Sequence, residues 1–304
     1  MEILPIDISK ATIQKINNES TRAGLVNLSV LRLDRIHPVI SGNKWFKLKY
    51  YLQNAMSSHV KSLITFGGPY SNHIVATAFA SQLNGLKSVG IIRGEEPGVW
   101  SPSLLDAHGM GMELYFISRE EFKSPGRDRL IHSFNRSNQP FLVVPEGGSG
   151  EAGVLGASEI WNLVEKSAYS HIVAAAGTGT TLAGLLRSAN AGQAVIGISV
   201  MKNNQSLQNQ IETLSGSDYK ANFILNQDYH FGGYAKKNTE LLRFMNGFYQ
   251  EQGLPTDFVY TGKLMYAVMD LINKNYFPAG SDILVIHSGG LQGNRSLPPG
   301  TLVY

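Results

Sequence analysis

The chain has 304 residues, of which 43% are hydrophobic and 16% are charged, and its formal net charge is +3. This length and apolar content allow two ordinary domains or one large one with a sizeable core, and they exclude a disordered chain. The small, scattered positive charge lacks the basic block of a nucleic-acid-binding surface. Glycine is the outlier, because its 32 residues occur in clusters without a fixed period, which indicates tight turns or backbone close to a ligand.

Several features are absent from the sequence. It contains no cysteine, which excludes a disulfide framework, a thiolate metal site and a cysteine nucleophile. No stretch approaches the roughly 20 uncharged apolar residues of a membrane helix. Residues 1–7 show no basic segment followed by an apolar one, so no secretory signal is expected. We therefore expect a soluble, cytoplasmic protein with neither a membrane nor a nucleic-acid partner, and with no metal.

Short apolar runs alternate with longer helical patterns along the chain. Strands are predicted at 62–66, 88–92, 114–117, 141–144, 171–176, 194–200 and 282–287, and helices at 74–83, 156–164 and 182–191. Strand, glycine turn and helix in repetition predict an α/β protein whose mostly parallel sheets are covered on both faces. Because the strands cluster at 62–144 and at 171–287, on either side of a glycine-rich stretch, two sheets are predicted.

Three glycine loops follow predicted strands, where ligands bind in such folds. Gly177–Thr181 offers backbone N–H groups, a helix N-terminus and threonine hydroxyls, which suit a phosphate, although a simple helix cap is the alternative. This loop has neither the ending of a Walker A loop nor the third glycine of a dinucleotide fingerprint. Gly67–His73 places Ser71 and Asn72 before a helix, as caps or as site residues. His287–Gly290 ends a strand with a serine hydroxyl, in a site or in an ordinary turn.

Lys44 follows Gly42 and is flanked by aromatic residues in the segment Ser41–Lys47. A lysine in an apolar pocket has a lowered pKa and acts as an amine nucleophile, although most lysines are simply solvated. A phosphate loop, a candidate Schiff-base lysine and hydroxyl-bearing strand ends together indicate pyridoxal phosphate as a cofactor.

Five motifs follow one another along the chain: Gly42–Lys44, Gly68–His73, Val144–Gly156, Gly177–Thr181 and Tyr260–Lys263. In type and order they resemble the 1-aminocyclopropane-1-carboxylate (ACC) deaminase and D-cysteine desulfhydrase family of tryptophan-synthase-β-like enzymes. The resemblance covers about residues 28–290. It implies a type II pyridoxal-phosphate fold of two open, twisted, mostly parallel sheets flanked by helices, with the cofactor in a cleft between domains. The larger domain would comprise 1–46 and 153–304, the smaller one 47–152, and the protein would be a homodimer.

The resemblance also implies the roles of individual residues. Lys44 would hold the cofactor and then transfer protons, while Ser71 would sit near the substrate carboxylate or act as a second acid/base. Tyr234, after Gly232-Gly233, and Tyr260 would line the substrate side as acids or as donors to the leaving group. Substrate contacts would come from Ser71, Asn72, His73, Tyr234 and Tyr260. Cofactor contacts would come from Lys44, Asn43, Asn72 (to the 3′-oxygen), Gly177, Thr178, Gly179, Thr180, Thr181, Thr261 and Ser288.

Two positions bear on the substrate, a small amino acid. ACC-deaminating members of the family have Glu directly after the second tyrosine and Leu before the final Gly-Gly, where this chain has Thr261 and Ser288. A carboxylate at the pyridine nitrogen deepens the electron sink, so hydroxyls there favour β-elimination from D-cysteine, giving pyruvate, ammonia and sulfide. Pro69 and Tyr70 replace the Ile-Gln of desulfhydrases and are expected to line or border the pocket.

Three alternatives stay open at this point. The first is an ACC deaminase, which opens the substrate ring and releases 2-oxobutanoate and ammonia. The second is a serine or threonine dehydratase-like enzyme from the same superfamily. The third, from a different class, is a non-catalytic protein that binds a phosphate ligand through the Gly177 loop.

Overall fold

The computed structural model describes residue 4 and residues 6–123, 126–135 and 140–304. Its strands are β1 (Thr12–Ile16), β2 (Asn27–Arg32), β3 (Ser62–Gly67), β4 (Lys87–Arg93), β5 (Met112–Ile117), β6 (Phe141–Val144), β7 (His171–Ala176), β8 (Ala194–Ser199), β9 (Asn222–Asn226) and β10 (Asp282–His287). Its helices are α1 (Glu19–Ala23), α2 (Asn43–Ser57), α3 (Asn72–Leu83), α4 (Pro102–Gly109), α5 (Gly126–Asn135), α6 (Glu151–Ser158), α7 (Thr180–Ser188), α8 (Leu207–Ser215), α9 (Thr239–Gln252) and α10 (Thr261–Asn273). None of the helices in this described part of the chain has the length and apolar character of a membrane-crossing segment.

The strands form two sheets. One has six strands in the order β1-β2-β10-β7-β8-β9, in which only the edge pair β1–β2 is antiparallel. The other has four parallel strands in the order β5-β4-β3-β6, all of them between residues 62 and 144. Parallel strands need covered faces, and the continuous burial along β8 meets that requirement. The predicted α/β class with two mostly parallel sheets is confirmed.

The six-stranded sheet separates two apolar clusters. Ile172 and Ala174 of β7 face one cluster and Val173 faces the other, as the two-residue period of a strand requires. Side chains of α2, α6 and α7 complete the first cluster, and those of α10 complete the second. The helices therefore cover both faces, and only the strand ends are left open to receive a ligand.

The seven predicted strands are all present, whereas the helix predicted over 156–164 was wrong in its limits. Helix α6 begins five residues earlier, directly after Gly150, whose φ is 100°, and residues 159–163 form a 3₁₀ turn. A Cβ on Gly156 would lie 1.8 Å from the Phe46 carbonyl oxygen. The glycines that weaken the helical pattern are thus needed for close packing against α2. Helix α7 also begins two residues before its predicted start.

A buried ionic network connects the ends of β2 and β10. The Arg32 guanidinium donates to both Asp34 carboxylate oxygens, at 2.8 and 2.7 Å, and His287 Nδ1 lies 3.2 Å from Asp34 Oδ1. Burial alone would raise the pKa of Asp34, but the Arg32 hydrogen bonds, followed by the charges of His287 and Arg32, hold it below its usual value of 3.8. The network thereby fixes the strand end from which Ser288 follows.

We expect Asp34→Asn to lower the free energy of unfolding by about 3 kcal/mol, because the buried Arg32 guanidinium loses its carboxylate. The pKa of Asp34 is lower in the folded state than in the unfolded state, where it is 3.8. The contribution of its carboxylate to the free energy of unfolding is therefore complete above pH 3.8 and is lost as the pH falls through the folded-state pKa. The difference between wild type and variant therefore narrows below about pH 4. Urea unfolding at pH 7 and pH 3 measures both effects. The exposed Asp218→Asn is the control, and a change at pH 7 under about 0.5 kcal/mol would contradict the prediction.

Candidate active site

A cavity of about 530 Å³ lies where strand ends of the two sheets meet. Its lining comes from the segments that follow β3, β4, β6, β7 and β10 and from the first turns of α2 and α3. Loops at the carboxyl ends of parallel strands share one edge of a sheet, which explains how segments far apart in sequence converge here.

Most of the predicted site residues line this cavity. They are Asn43, Lys44, Ser71, Asn72, His73, Gly177, Thr178, Gly179, Thr181, Tyr234, Tyr260 and Ser288. Thr180 and Thr261 do not belong to the lining and are fully buried. Pro69 and Tyr70 do not line it either, and Tyr70 is exposed. These last two residues were expected to line or border the pocket, and they border it, since Gly68 and Ser71 on either side of them are lining residues.

Lys44 is placed by the turn that starts α2. Gly42 has a φ of 68°, and a Cβ on it would lie 1.8 Å from the Ser288 carbonyl oxygen, so only glycine fits. The Lys44 ammonium donates to Asn43 Oδ1 at 2.9 Å and lies 6.0 Å from the centre of the Tyr260 ring. Burial lowers the pKa of Lys44 to about 8, against the opposing charge of Asp257. A lowered pKa increases the fraction of neutral amine near neutral pH, and the neutral amine is the form that a Schiff-base nucleophile requires.

Lys47 is a cavity residue that the motif analysis missed. It lies three residues after Lys44 on α2, on the same helix face, and it is buried. Burial, and then the charge of Lys44, lower its pKa well below the usual value. An anion beside Lys47 would restore its positive charge, so this position favours an anionic ligand group. Helical spacing from Lys44 was the signal that could have identified it.

The loop between β7 and α7 has an open helix N-terminus. Gly179 adopts a left-handed conformation with φ 78°, and no side chain caps α7. The Thr178 and Thr180 hydroxyls are 3.2 Å apart, and Asn43 Nδ2 donates to Thr181 Oγ1 at 2.7 Å. Uncapped N–H groups and nearby hydroxyls form a site for a phosphate. The bond from Asn43 ties this site to the helix that carries Lys44.

The start of α3 presents three polar side chains to the cavity. Ser71 caps the helix, since its Oγ accepts from the His73 and Ile74 backbone N–H groups at 3.2 and 3.4 Å. Within the described residues, Asn72 Oδ1 and His73 Nδ1 are buried and have no hydrogen-bond partner. Burial, followed by the charges of Lys44 and Lys47, lowers the pKa of His73 to about 3. His73 is therefore neutral at neutral pH and serves as a hydrogen-bonding group.

Tyr234 and Tyr260 form a pair on another wall. Their ring centres are 5.9 Å apart, with the ring planes at 71°. Burial raises the pKa of both phenols, and each hydroxyl acts on the pKa of the other. Both are therefore protonated near neutral pH. Both tyrosines line the cavity and are therefore candidate proton donors.

Thr261 is paired with a buried carboxylate that the sequence analysis did not identify. The Thr261 hydroxyl donates to Asp257 Oδ1 at 2.7 Å, and the same carboxylate accepts the Val259, Tyr260 and Thr261 backbone N–H groups. Asp257 thus caps the start of α10. A Cβ built on Gly290, in the cavity lining, would lie 3.5 Å from Asp257 Oδ1. The Asp257 carboxylate therefore lies directly behind the part of the cavity wall that Gly290 forms.

These groups fit pyridoxal phosphate. The open N-terminus of α7 and Lys47 would hold the phosphate, and Lys44 would bind the aldehyde carbon. The Asn72 amide, whose oxygen lacks a protein partner, is available to the ring oxygen, and Ser288 is the lining hydroxyl near the final glycines. Within the described residues, no cluster of His, Cys, Asp and Glu could hold a metal ion.

Comparisons with known proteins bear on the same site. The family model described as "Pyridoxal-phosphate dependent enzyme" matches residues 7–289. A Pyrococcus abyssi protein, provisionally named 1-aminocyclopropane-1-carboxylate deaminase, is 32% identical over 284 residues, covering 88% of this chain and 86% of that protein. The mitochondrial bifunctional D-cysteine desulfhydrase/1-aminocyclopropane-1-carboxylate deaminase of Arabidopsis thaliana is 30% identical, with coverage of 84% and 70%. A crystal structure of an ACC deaminase homologue superposes with a TM-score of 0.81 at 27% identity, covering 96% and 92%.

We expect Lys47→Met to weaken the binding of pyridoxal phosphate by about tenfold to a hundredfold, because one charge-assisted contact to the phosphate is lost. The fold should persist, since a buried ammonium is replaced by an apolar side chain. Titration of the apoprotein, followed by absorbance, gives the dissociation constant. The exposed Lys61→Met is the control, and equal affinities of all three proteins would show that Lys47 does not contact the phosphate.

Proposed function

The chain belongs to the family of pyridoxal-phosphate dependent enzymes, and on this premise we propose that it deaminates a small amino acid by α,β-elimination, with D-cysteine favoured. The observation that carries the proposal is a lowered-pKa amine, Lys44, opposite a protonated phenol, Tyr234, in one cavity. Such a pair supplies a base for the α-carbon and an acid for the leaving group. The non-catalytic alternative is set aside, because the family consists of enzymes.

Pyridoxal phosphate, when bound, withdraws electrons from the α-carbon of the substrate and so stabilises negative charge there. Lys44 would hold the cofactor, and once released it would be a free amine within the cavity. With a pKa of about 8, it can accept the α-proton near neutral pH. The N-terminus of α3, with Ser71 and Asn72, receives the α-carboxylate of the substrate.

The leaving group departs from the β-carbon. The Cβ–S bond of D-cysteine breaks with its electron pair on sulfur, and the Tyr234 hydroxyl donates a proton to the thiolate. Tyr260 packs beside Tyr234 and lowers the pKa of its hydroxyl, which stabilises the phenolate that results. Loss of the α-proton and of the sulfur group leaves a three-carbon enamine. Water hydrolyses this enamine to pyruvate and ammonia, and the third product is hydrogen sulfide.

Ser288 and Thr261 support elimination over ring opening. Ser288 contributes a neutral hydroxyl to the cavity lining, and the Thr261 hydroxyl is bonded to Asp257 behind it. A neutral partner of the pyridine nitrogen gives a weaker electron sink, which suffices when a good leaving group departs.

One observation favours ACC deaminase as the second candidate. The Asp257 carboxylate lies behind Gly290, close enough to stabilise a proton on a ring bound at this wall. That would deepen the electron sink for cleavage of a ring carbon–carbon bond. The overall reaction would convert ACC and water to 2-oxobutanoate and ammonia.

The division into a larger domain (1–46 and 153–304) and a smaller one (47–152) is part of the proposal. It is supported by the position of the four-stranded sheet within residues 62–144. We also propose that the enzyme acts as a homodimer in the cytoplasm, a reducing compartment that suits a chain without cysteine. Sedimentation of the purified protein would give the oligomeric state.

A panel of amino acids tests the function. We expect holoenzyme to release pyruvate and sulfide from D-cysteine faster than 2-oxobutanoate from ACC, with L- and D-serine slower than D-cysteine. Keto-acid formation is measured with lactate dehydrogenase. Release from ACC but not from D-cysteine would contradict the preference, and a faster rate with serine would favour a dehydratase. In Lys44→Ala, the visible cofactor band and the turnover should both be lost.

We expect Tyr234→Phe to lower kcat for D-cysteine by about a hundredfold, because the thiolate loses its proton donor. With β-chloroalanine, whose chloride needs no proton, the loss should be small, and the cofactor band should persist. Steady-state assays of both substrates measure the contrast. Tyr249→Phe, remote from the cavity, is the matched control. Equal losses with both substrates would assign Tyr234 to binding instead of protonation.

A further inference from the structure

Two arginines line the same cavity without any role in the chemistry above. Arg93 ends β4, and Arg127 lies in the first turn of α5. Both guanidinium groups lie over the Phe122 ring, at 5.4 and 5.5 Å from its centre, and Arg127 also lies 5.1 Å from the centre of the Phe66 ring. Stacking on aromatic rings orients a guanidinium and leaves its N–H groups free to bind an anion.

Protein carboxylates neutralise this pair only in part. Arg93 Nη1 is 4.0 Å from Glu146 Oε1, and both side chains are partly exposed, so their attraction is weak. In the described ranges, no carboxylate lies within 4.0 Å of Arg127. Glu146 also lines the cavity, so two guanidinium groups face it with one carboxylate. The pair retains net positive charge toward a ligand.

The arginines lie toward the substrate and away from the phosphate. Arg93 Nη2 would be 3.5 Å from a Cβ on Gly68, at the start of the loop that leads to Ser71. The charge of Arg93 also acts on the Tyr234 phenol. The cofactor phosphate has its own site at the N-terminus of α7, and the α-carboxylate has the N-terminus of α3. Arg93 and Arg127 are therefore left to bind a third anionic group, one that is neither the cofactor phosphate nor the α-carboxylate.

We propose that Arg93 and Arg127 form a subsite for a negatively charged side chain, so that the enzyme also accepts amino acids with an anionic β-substituent and binds them more tightly than neutral analogues of the same shape. The inference rests on the proposed function and names its substrate class. For O-phosphoserine, Lys44 takes the α-proton, and the Cβ–O bond breaks with its electron pair on the phosphate. With one water, the products are pyruvate, ammonia and inorganic phosphate, and no oxidant or reductant is needed.

A binding experiment isolates the charge of the side chain. Aspartate and asparagine have nearly the same shape, and neither has a leaving group for elimination. Both enantiomers are titrated into holoenzyme, and the change in the cofactor band gives the dissociation constants. We expect aspartate to bind about tenfold more tightly than asparagine. In Arg93→Gln and Arg127→Gln, affinity for aspartate should fall by about tenfold, while that for asparagine stays unchanged.

The control is Arg129→Gln, an exposed arginine two residues after Arg127 on the same helix. It should leave both dissociation constants as in the wild type, and thermal melting should verify that all variants are folded. Equal affinity of the wild type for aspartate and asparagine would overturn the proposal. An equal loss for the two ligands in Arg93→Gln would also overturn it, because Arg93 would then bind the α-carboxylate.

Turnover separates this inference from the function on which it depends. We expect kcat/KM for O-phosphoserine to exceed that for β-chloroalanine, and Arg93→Gln to lower only the former, by about tenfold. Turnover of β-chloroalanine without any of O-phosphoserine would overturn the subsite and leave the elimination activity in place. No turnover of any amino acid by holoenzyme would overturn the proposed function itself.

Discussion

The site depends on the close approach of two stretches of backbone, at Gly42 and at Ser288. The Gly42 N–H group donates to the Leu33 carbonyl, and the Asn43 N–H group donates to the Ser288 carbonyl at 3.3 Å. Any side chain at position 42 would collide with Ser288, so the contact requires glycine. It joins the start of α2 to the end of β10, and this junction brings Lys44 to the wall that contains Ser288. The network of Asp34 and His287 holds the β10 side of the junction in place.

Desolvation then determines the chemistry of the cavity. Lys44 and Lys47 stand three residues apart on one helix face, and burial lowers both pKa values. Lys47 gains charge when an anion binds, whereas Lys44 remains able to lose its proton. Asp257 opposes the desolvation of Lys44 and favours its charged form, whereas the charge of Lys44 adds to the effect of desolvation on Lys47. One helix therefore places two desolvated lysines in the same cavity, each with a different charged neighbour.

Local sequence was sufficient to predict seven of the described strands, of which β3, β6 and β7 are apolar runs followed directly by glycine or proline. It did not predict β1, β2 and β9, whose sequences contain more polar residues. The limits of α6 could not be predicted, since its glycines follow from packing against Phe46 and not from a turn. The motifs placed Lys44 and the Gly177 loop at the site. Arg127 was missed, because Phe66, one of the two aromatic residues that orient it, is far away in the sequence. Its recruitment depends on how α5 packs on the four-stranded sheet.

Thr261 shows where a position-by-position comparison with a family reaches its limit. The motif comparison predicts that Thr261 presents a neutral hydroxyl to the cofactor. In the structure this hydroxyl donates a hydrogen bond to Asp257 instead. The same carboxylate accepts the N–H groups at the start of α10. A glutamate at position 261 would lose that hydroxyl bond and place a second carboxylate beside the first, which costs free energy in a buried site. Position 261 is therefore coupled to position 257. The electrostatics of this wall therefore depend on both residues. With threonine at position 261, the nearest negative charge is the Asp257 carboxylate, which lies behind Gly290.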